Sequence, residues 1–227
     1  MNNKHSLSHA ASVLSWFAMA GSAWATGGHH AVDDASILDP GQCQLELWSE
    51  HSPMHRLAHV GPGCRWGPVE AGVSADRSSD DSEPSRTLWS PQVKWATTLS
   101  SQLAAGAVWT LSWQSPSPRR TSQSILLPVT WQPQPSLALH LNLGRDFPRN
   151  AYRVVRRGTA IEWQALPQWQ ALAEWFDDGQ QGNRRLGLRH AWNTQVSLDI
   201  SRAESTGQPR RPWWTLGVNW TFGSPLP

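Results

Sequence analysis

Residues 213–222 read WWTLGVNWTF. Within this stretch Leu216, Val218, Trp220 and Phe222 alternate with Thr215, Gly217, Asn219 and Thr221. A period of two is the signature of a β-strand, whose successive side chains point to opposite faces. One face is apolar and the other polar, so the strand separates two media. Aromatic side chains crowd both ends, Trp213 and Trp214 at one, Trp220 and Phe222 at the other. Tryptophan joins an apolar body to a single N–H donor and favours a boundary between hydrocarbon and water.

The same alternation recurs upstream. In SLALHLNLG (136–144), Leu137, Leu139, Leu141 and Leu143 face one way, while Ala138, His140, Asn142 and Gly144 face the other. No stretch sustains helical periodicity. Reading turn residues as breaks predicts twelve strands near 42–50, 56–64, 69–77, 87–98, 102–114, 122–131, 136–145, 157–165, 169–177, 184–192, 194–202 and 213–222. Most have about the 9–11 residues that a tilted strand needs to cross a bilayer. Alternate connections are tight: 65–68, 99–101, 132–135, 166–168 and the corner at Asn193. The others read as longer polar loops, among them SSDDSEPSR (78–86), SPSPRRT (115–121), DFPRNAYRVVR (146–156) and AESTGQPRRP (203–212). Short turns on one rim and long loops on the other fit an outer-membrane barrel, and an even strand number puts both termini on the short-turn side. The predicted fold is therefore an all-β, antiparallel up-and-down transmembrane β-barrel of twelve strands, with ten as the nearest alternative.

Composition agrees. The 227 residues carry a formal net charge of +2, which argues against nucleic acid as a partner. A mean hydropathy of −0.48 is too polar for a helical membrane protein. There are 16 Trp against one Tyr and four Phe. Outside the N-terminal segment every Trp sorts to a strand end, which predicts two aromatic girdles. By parity only Trp48 and Trp213 turn to the polar side. A soluble barrel with Trp in its core has the same alternation. It does not account for Trp at strand ends rather than middles, nor for the export signal at the N-terminus.

That signal is the polar MNNKHSLSH, an apolar run from Ala10 to Gly21, and Ala23-Trp24-Ala25 as a cleavage site. The predicted organisation is a signal peptide at 1–25, a flexible periplasmic leader at 26–41, the barrel at 42–222 and a C-terminal tail at 223–227. Export meets an oxidising compartment, so Cys43 and Cys64 are expected to pair. A first hairpin centred near Pro53 sets them opposite one another. The leader carries His29, His30, Asp33 and Asp34, donors that suit weak binding of a divalent ion if they converge.

Parity sends Glu46, Glu70, Lys94, His140, Glu162, Glu174, Arg185, Arg189 and Asp199 into the lumen. Adjacent strands bring Glu174 beside Arg185 or Arg189, with Asp199 on the other flank. These charges read either as a constriction that filters small solutes or as ion pairs filling a narrow barrel. His59 also points inward. No GxSxG, HExxH or phosphate-binding glycine loop is present, no residue pattern calls for a cofactor, and His140 has no neighbouring Ser in a His-x-Ser arrangement. Arginines at 119, 120, 149, 153, 156, 157, 210 and 211 gather in or beside the long connections. Guanidinium groups suit phosphate, here that of lipopolysaccharide.

The segment Thr215-Leu216-Gly217-Val218-Asn219-Trp220-Thr221-Phe222 resembles the terminal strand of bacterial outer-membrane β-barrels. The family pattern is polar, any, Gly, two of any, aromatic, any, aromatic. Thr215, Gly217, Trp220 and Phe222 fill its specified positions. Here GSPLP follows Phe222, which in that family is usually the last residue. The resemblance implies recognition by the barrel-assembly machinery and residence in the outer membrane of a Gram-negative bacterium. Residues 28–48 are similar to the start of uncharacterised exported proteobacterial proteins, which brings no activity with it. Twelve-strand barrels include acidic-sugar and nucleoside channels, a lipid deacylase and a phospholipase, so fold does not choose among them. The expected function is a narrow, non-catalytic channel for passive passage of small polar solutes. The alternatives are a hydrolase of envelope lipids with His140 as base, and a sealed structural or adhesive barrel.

Overall fold

A computed structural model of the chain describes residues 30–80, 83–115 and 119–223. The predicted signal peptide, His29 and all of the predicted C-terminal tail but Gly223 lie outside the described residues. The strands are β1 (Cys43–His51), β2 (His55–Trp66), β3 (Val69–Asp80), β4 (Glu83–Thr98), β5 (Leu103–Ser115), β6 (Arg119–Gln134), β7 (Leu137–Pro148), β8 (Val154–Leu166), β9 (Trp169–Asp177), β10 (Gly182–Ala191), β11 (Val196–Ser205) and β12 (Pro212–Phe222). Each pairs antiparallel with its sequence neighbours. β1 closes the barrel against β12, with Cys43 opposite Phe222 and His51 opposite Trp214. Twelve strands, rather than ten, form the wall. Closure leaves no unpaired edge, so every strand's backbone polar groups meet a neighbour's, as a hydrocarbon environment requires.

The alternation seen in sequence becomes an inside and an outside. On β12, Leu216 is 58% exposed and Thr215 is 0%. Leu127, Leu141, Leu143, Ile161, Leu188 and Ile200 stand outward on other strands. Trp66, Trp95, Trp131, Trp163, Trp192 and Trp220 are exposed towards the tight-turn rim, and Trp89, Trp109 and Trp214 towards the opposite rim. Trp48 turns inward and stacks on His59, ring centroids 4.4 Å apart. Trp213 turns inward too, and its Nε1 donates to Glu50 Oε1 at 3.2 Å. Cys43 and Cys64 face one another across β1 and β2 and are joined by a disulfide.

The long polar loops are shorter than the sequence predicts. Most of 78–86 continues β3 and β4, and 115–121 and 146–156 likewise supply strand at both ends. The longest remaining connection at that rim is 206–211. A ladder needs only paired backbone groups, so hairpins extend past the apolar band on polar side chains that carry no alternating hydrophobic signal. At the other rim β2 turns into β3 through Gly67 and Pro68, where Gly67 adopts φ 57°, a left-handed value that a side chain resists.

The larger difference concerns the leader. It is predicted to be a flexible periplasmic segment, but residues 30–38 run inside the barrel, and only Asp39 and Pro40 are exposed at its rim. Val32 is 1% exposed, and it packs against Ala160 and Phe176 of the wall. An apolar side chain gains by leaving water, and a lumen of this width offers it walls on all sides.

Candidate functional site: a charged lumen threaded by the N-terminal segment

The lumen is assembled from inward positions of the strands and from the segment itself. Beginning at the tight-turn rim, Gln42 N donates to Asp39 O at 3.0 Å and starts a turn into the barrel. Arg65 of β2 donates through Nη1 to Leu38 O at 2.7 Å and through Nε to Gly67 O at 2.9 Å. Leu38 N donates to Glu70 Oε2 at 3.0 Å, and Ala35 N to Thr130 Oγ1 at 2.8 Å. Further in, Ala31 N and Val32 N donate to the two carboxylate oxygens of Glu174, at 3.3 and 3.0 Å. With its side-chain amide assigned from the hydrogen-bond network, Asn142 brackets Asp33, accepting from its backbone N–H and donating to its carbonyl. A strandless chain in a dry interior must find partners for its backbone groups. Here the wall supplies them from carboxylates, a hydroxyl and an amide.

Side chains add a second set of ties. Lys94 of β4 donates to Asp33 Oδ1 at 2.7 Å and to Asp34 Oδ1 at 2.9 Å. Its cross-strand neighbour is Glu70, but that carboxylate is engaged by Leu38 and by Gln44 Nε2 at 3.1 Å. Lys94 therefore meets its counter-charge in the segment rather than in the wall. Burial pushes the Asp33 carboxyl above the ordinary carboxylate range, and the Lys94 ammonium opposes that rise. Gly158 makes room for the chain, since a Cβ there would lie 2.7 Å from Val32 Cγ2.

The remaining wall charges pair among themselves. Arg185 and Glu174 are register partners on β10 and β9, with Nη1 to Oε1 at 2.9 Å, and Arg185 Nη2 reaches Glu50 Oε1 at 3.2 Å. Arg189 and Asp199 are partners on β10 and β11, with Nε to Oδ1 at 2.7 Å. Asn219 Nδ2 donates to Asp199 Oδ2 at 2.6 Å. His59 Nδ1 lies 2.6 Å from Asp76 Oδ1. Lower in the lumen His140 Nδ1 and Thr130 Oγ1 are 2.9 Å apart, His140 Nε2 is 3.6 Å from Glu162 Oε2, and Gln170 donates to that oxygen at 3.0 Å.

Glu70, Lys94, His140, Glu162, Glu174, Arg185, Arg189 and Asp199 are thus buried in the lumen, and Glu46 lines it while half-buried. The three described leader residues, His30, Asp33 and Asp34, do not gather around a common point. Asp33 and Asp34 serve Lys94, His30 Nε2 lies 3.9 Å from Asp199 Oδ1, and His29 is outside the described residues. Among the described residues no group of three or more His, Cys, Asp or Glu side chains is arranged to hold a metal ion. The sequence reading missed Ala31, Val32, Ala35 and Leu38, which contribute backbone amides and small apolar side chains without periodicity. Two polar cavities flank the segment. One, of about 450 Å³, opens at the tight-turn rim; the other, of about 260 Å³, is bounded by Trp48, His59, Glu70 and Lys94.

A family model described as uncharacterised conserved protein UCP029691 matches residues 14–222. Comparison with curated proteins by sequence finds no match. Among solved structures, the KdgM porin superposes with a TM-score of 0.65 at 12% identity, covering 79% of this chain and 99% of that one. The NanC porin gives a TM-score of 0.61 at 9% identity, covering 78% and 98%. LpxR from Salmonella typhimurium gives 0.56 at 6% identity, covering 79% and 100%. At such identities the likeness is one of fold: this is a closed twelve-strand barrel of the outer-membrane kind.

Proposed function

The chain belongs to the family of uncharacterised conserved proteins UCP029691, and we propose that it is an outer-membrane channel for passive passage of small polar solutes, narrowed by its own N-terminal segment. The observation that carries this reading is the pair of polar cavities either side of residues 30–38 in a barrel whose outer face is apolar. The lumen is lined by polar side chains, and the segment is the element that lies across it. Solutes would enter by diffusion, exchanging water for hydrogen bonds to lumen side chains. Two structural neighbours are named as porins, which is consistent with the reading. Export by a cleaved signal, assembly through the strand ending at Phe222, and contact of rim arginines with lipopolysaccharide phosphates belong to the same proposal.

Catalysis on lipid fits the geometry less well. His140 is buried inside the lumen beside Thr130 and Glu162, with the wall of the barrel between it and the hydrocarbon. The segment favours one rival, a sealed structural barrel. Proteoliposome swelling separates the two. Passage of small neutral solutes, in vesicles whose protein shows a heat-modifiable band, supports the channel. A correctly folded barrel that admits no solute, with or without the segment, favours the sealed form.

A further inference from the structure

On the outer wall, a row of register partners crosses five strands: Leu139, Ile161, Ala173, Leu186 and Arg202, on β7 to β11. The row spans four strand spacings, about 19 Å. Barrel strands tilt by roughly 35–45°, so the row climbs. Leu139 stands near the start of β7 at the tight-turn rim, and Arg202 near the end of β11 at the opposite rim. Ala173 in this row and Thr159 in the row above are small, and the wall is recessed between Ile161, Trp175 and Leu186. The recess has a volume of about 750 Å³ and is apolar along most of its length.

Its upper end is cationic. Arg184 Nε donates to Glu204 Oε1 at 2.6 Å across β10 and β11, and Arg202 and Arg210 stand within electrostatic reach of the same carboxylate. Three guanidiniums thus share one acid. Among the described residues the Arg202 guanidinium donates no hydrogen bond. It lies over the Trp214 ring, 5.6 Å from the centroid, which holds its plane and leaves its edge donors to a ligand. The neighbouring acids are taken, Asp177 by Arg157 at 3.3 Å and Asp178 by the amides of Gln180 and Gln181.

An apolar trough that faces hydrocarbon takes an acyl chain, and guanidiniums at its head take a phosphate bidentately. A free phosphate gains nothing from the trough, and an uncharged lipid leaves the excess positive charge unmet. The charged end lies at the rim opposite the tight turns and both barrel termini, the rim that meets the outer leaflet. We infer that this recess is a binding site for one phosphorylated, acylated glycolipid, the lipid A part of lipopolysaccharide, with phosphate on Arg184, Arg202 and Arg210 and an acyl chain over Ala173. The inference rests on the outer-membrane placement and the lipopolysaccharide contact proposed above, which it narrows to one place, and not on the channel.

The test is native mass spectrometry of the chain from Thr26 onward, folded in detergent. The probes are diphosphoryl lipid A, the same lipid freed of phosphate, and phosphatidylglycerol. One lipid A is expected to be retained, at least tenfold more strongly than either other lipid. Arg184→Gln with Arg202→Gln should weaken retention at least tenfold, and Ala173→Trp, which fills the trough at unchanged charge, at least fivefold. Arg56→Gln with Arg77→Gln removes as much charge from β2 and β3 at the same rim and should change nothing. A variant that loses its heat-modifiable band is replaced by Arg202→Lys, whose ammonium cannot bond bidentately, with a severalfold loss expected. No retained lipid A, equal retention of the dephosphorylated lipid or of phosphatidylglycerol, or equal loss in the Arg56 and Arg77 variant overturns the site. Solute passage is measured on the same preparation. A barrel that passes solute but holds no lipid A sinks this site alone, and one that holds lipid A but passes nothing sinks the channel alone.

Discussion

Lys94 Nζ sits 2.7 Å from Asp33 Oδ1, joining the wall of the barrel to a segment 61 residues upstream. The contact converts an N-terminal extension into part of the lumen. It also sets what can be perturbed, because Lys94 is buried and Asp34, buried as well, shares the same ammonium.

Removing the ammonium by Lys94→Met leaves the buried Asp34 carboxylate without its counter-charge and Asp33 beside it. Breaking a buried pair in this way costs about 3–5 kcal/mol. The wall ladder does not depend on this residue's side chain, so the cost falls on the segment's seat. Expected is a folded barrel in which a protease from the tight-turn side cleaves within 30–41 far faster than in the parent. Adding Asp33→Asn and Asp34→Asn should restore part of the protection. Unchanged cleavage would show that the ion pair does not hold the segment.

Gly158 gives an independent handle. A side chain there must displace Val32, since even a Cβ would approach it to 2.7 Å. Gly158→Val should loosen the segment as measured by hydrogen exchange of the Val32 and Ala31 amides, at least tenfold faster, with the amides of β8 little changed. Equal exchange at both places would mean that the wall, rather than the segment, yields.

The disulfide has a different task. Cys43 and Cys64 enclose the first hairpin with a sequence separation of 21. A cross-link of such a loop contributes roughly 3 kcal/mol by the chain-entropy account. Cys43→Ser with Cys64→Ser should lower the denaturant midpoint accordingly and leave solute passage as it was. A change in passage with stability untouched would contradict a purely structural role.

The outer face tests the membrane assignment. Leu216 lies near the middle of β12 and is exposed, between Ser49 of β1 and Ile200 of β11. Arginine at a lipid-facing position near the bilayer midplane costs about 2–4 kcal/mol. Leu216→Arg should therefore reduce folding into liposomes by that amount. Leu216→Arg without any penalty would place this face in water.

Strand number and facing were legible because alternation is written in residue types. SLALHLNLG and WWTLGVNWTF each state which side is apolar, and closure of β1 on β12 follows from pairing. The extent of the hairpins was not legible, since polar rims such as 78–86 pair through backbone groups that residue identity does not report. The ion pairs were partly legible. Glu174, Arg185, Arg189 and Asp199 were expected to be neighbours, and register settles Arg185 with Glu174 and Arg189 with Asp199. The threading of the lumen was not legible at all. Its bonds run from backbone amides of Ala31, Val32, Ala35 and Leu38 to side chains more than thirty positions away, and a backbone amide is the same at every residue. Asp33 and Asp34 beside His29 and His30 resembled a ligand set. Their real partner, Lys94, comes into view only when the barrel closes.

Single-channel recording in planar bilayers tests the central claim, that a solute path exists and that residues 30–38 obstruct it. The comparison is the chain from Thr26 onward against the same chain lacking residues 30–38, each shown to be folded by heat modifiability. Expected are small or infrequent conductance steps from the full chain and larger, steady ones from the shortened form. Equal conductance in both, or silence from both, would contradict it.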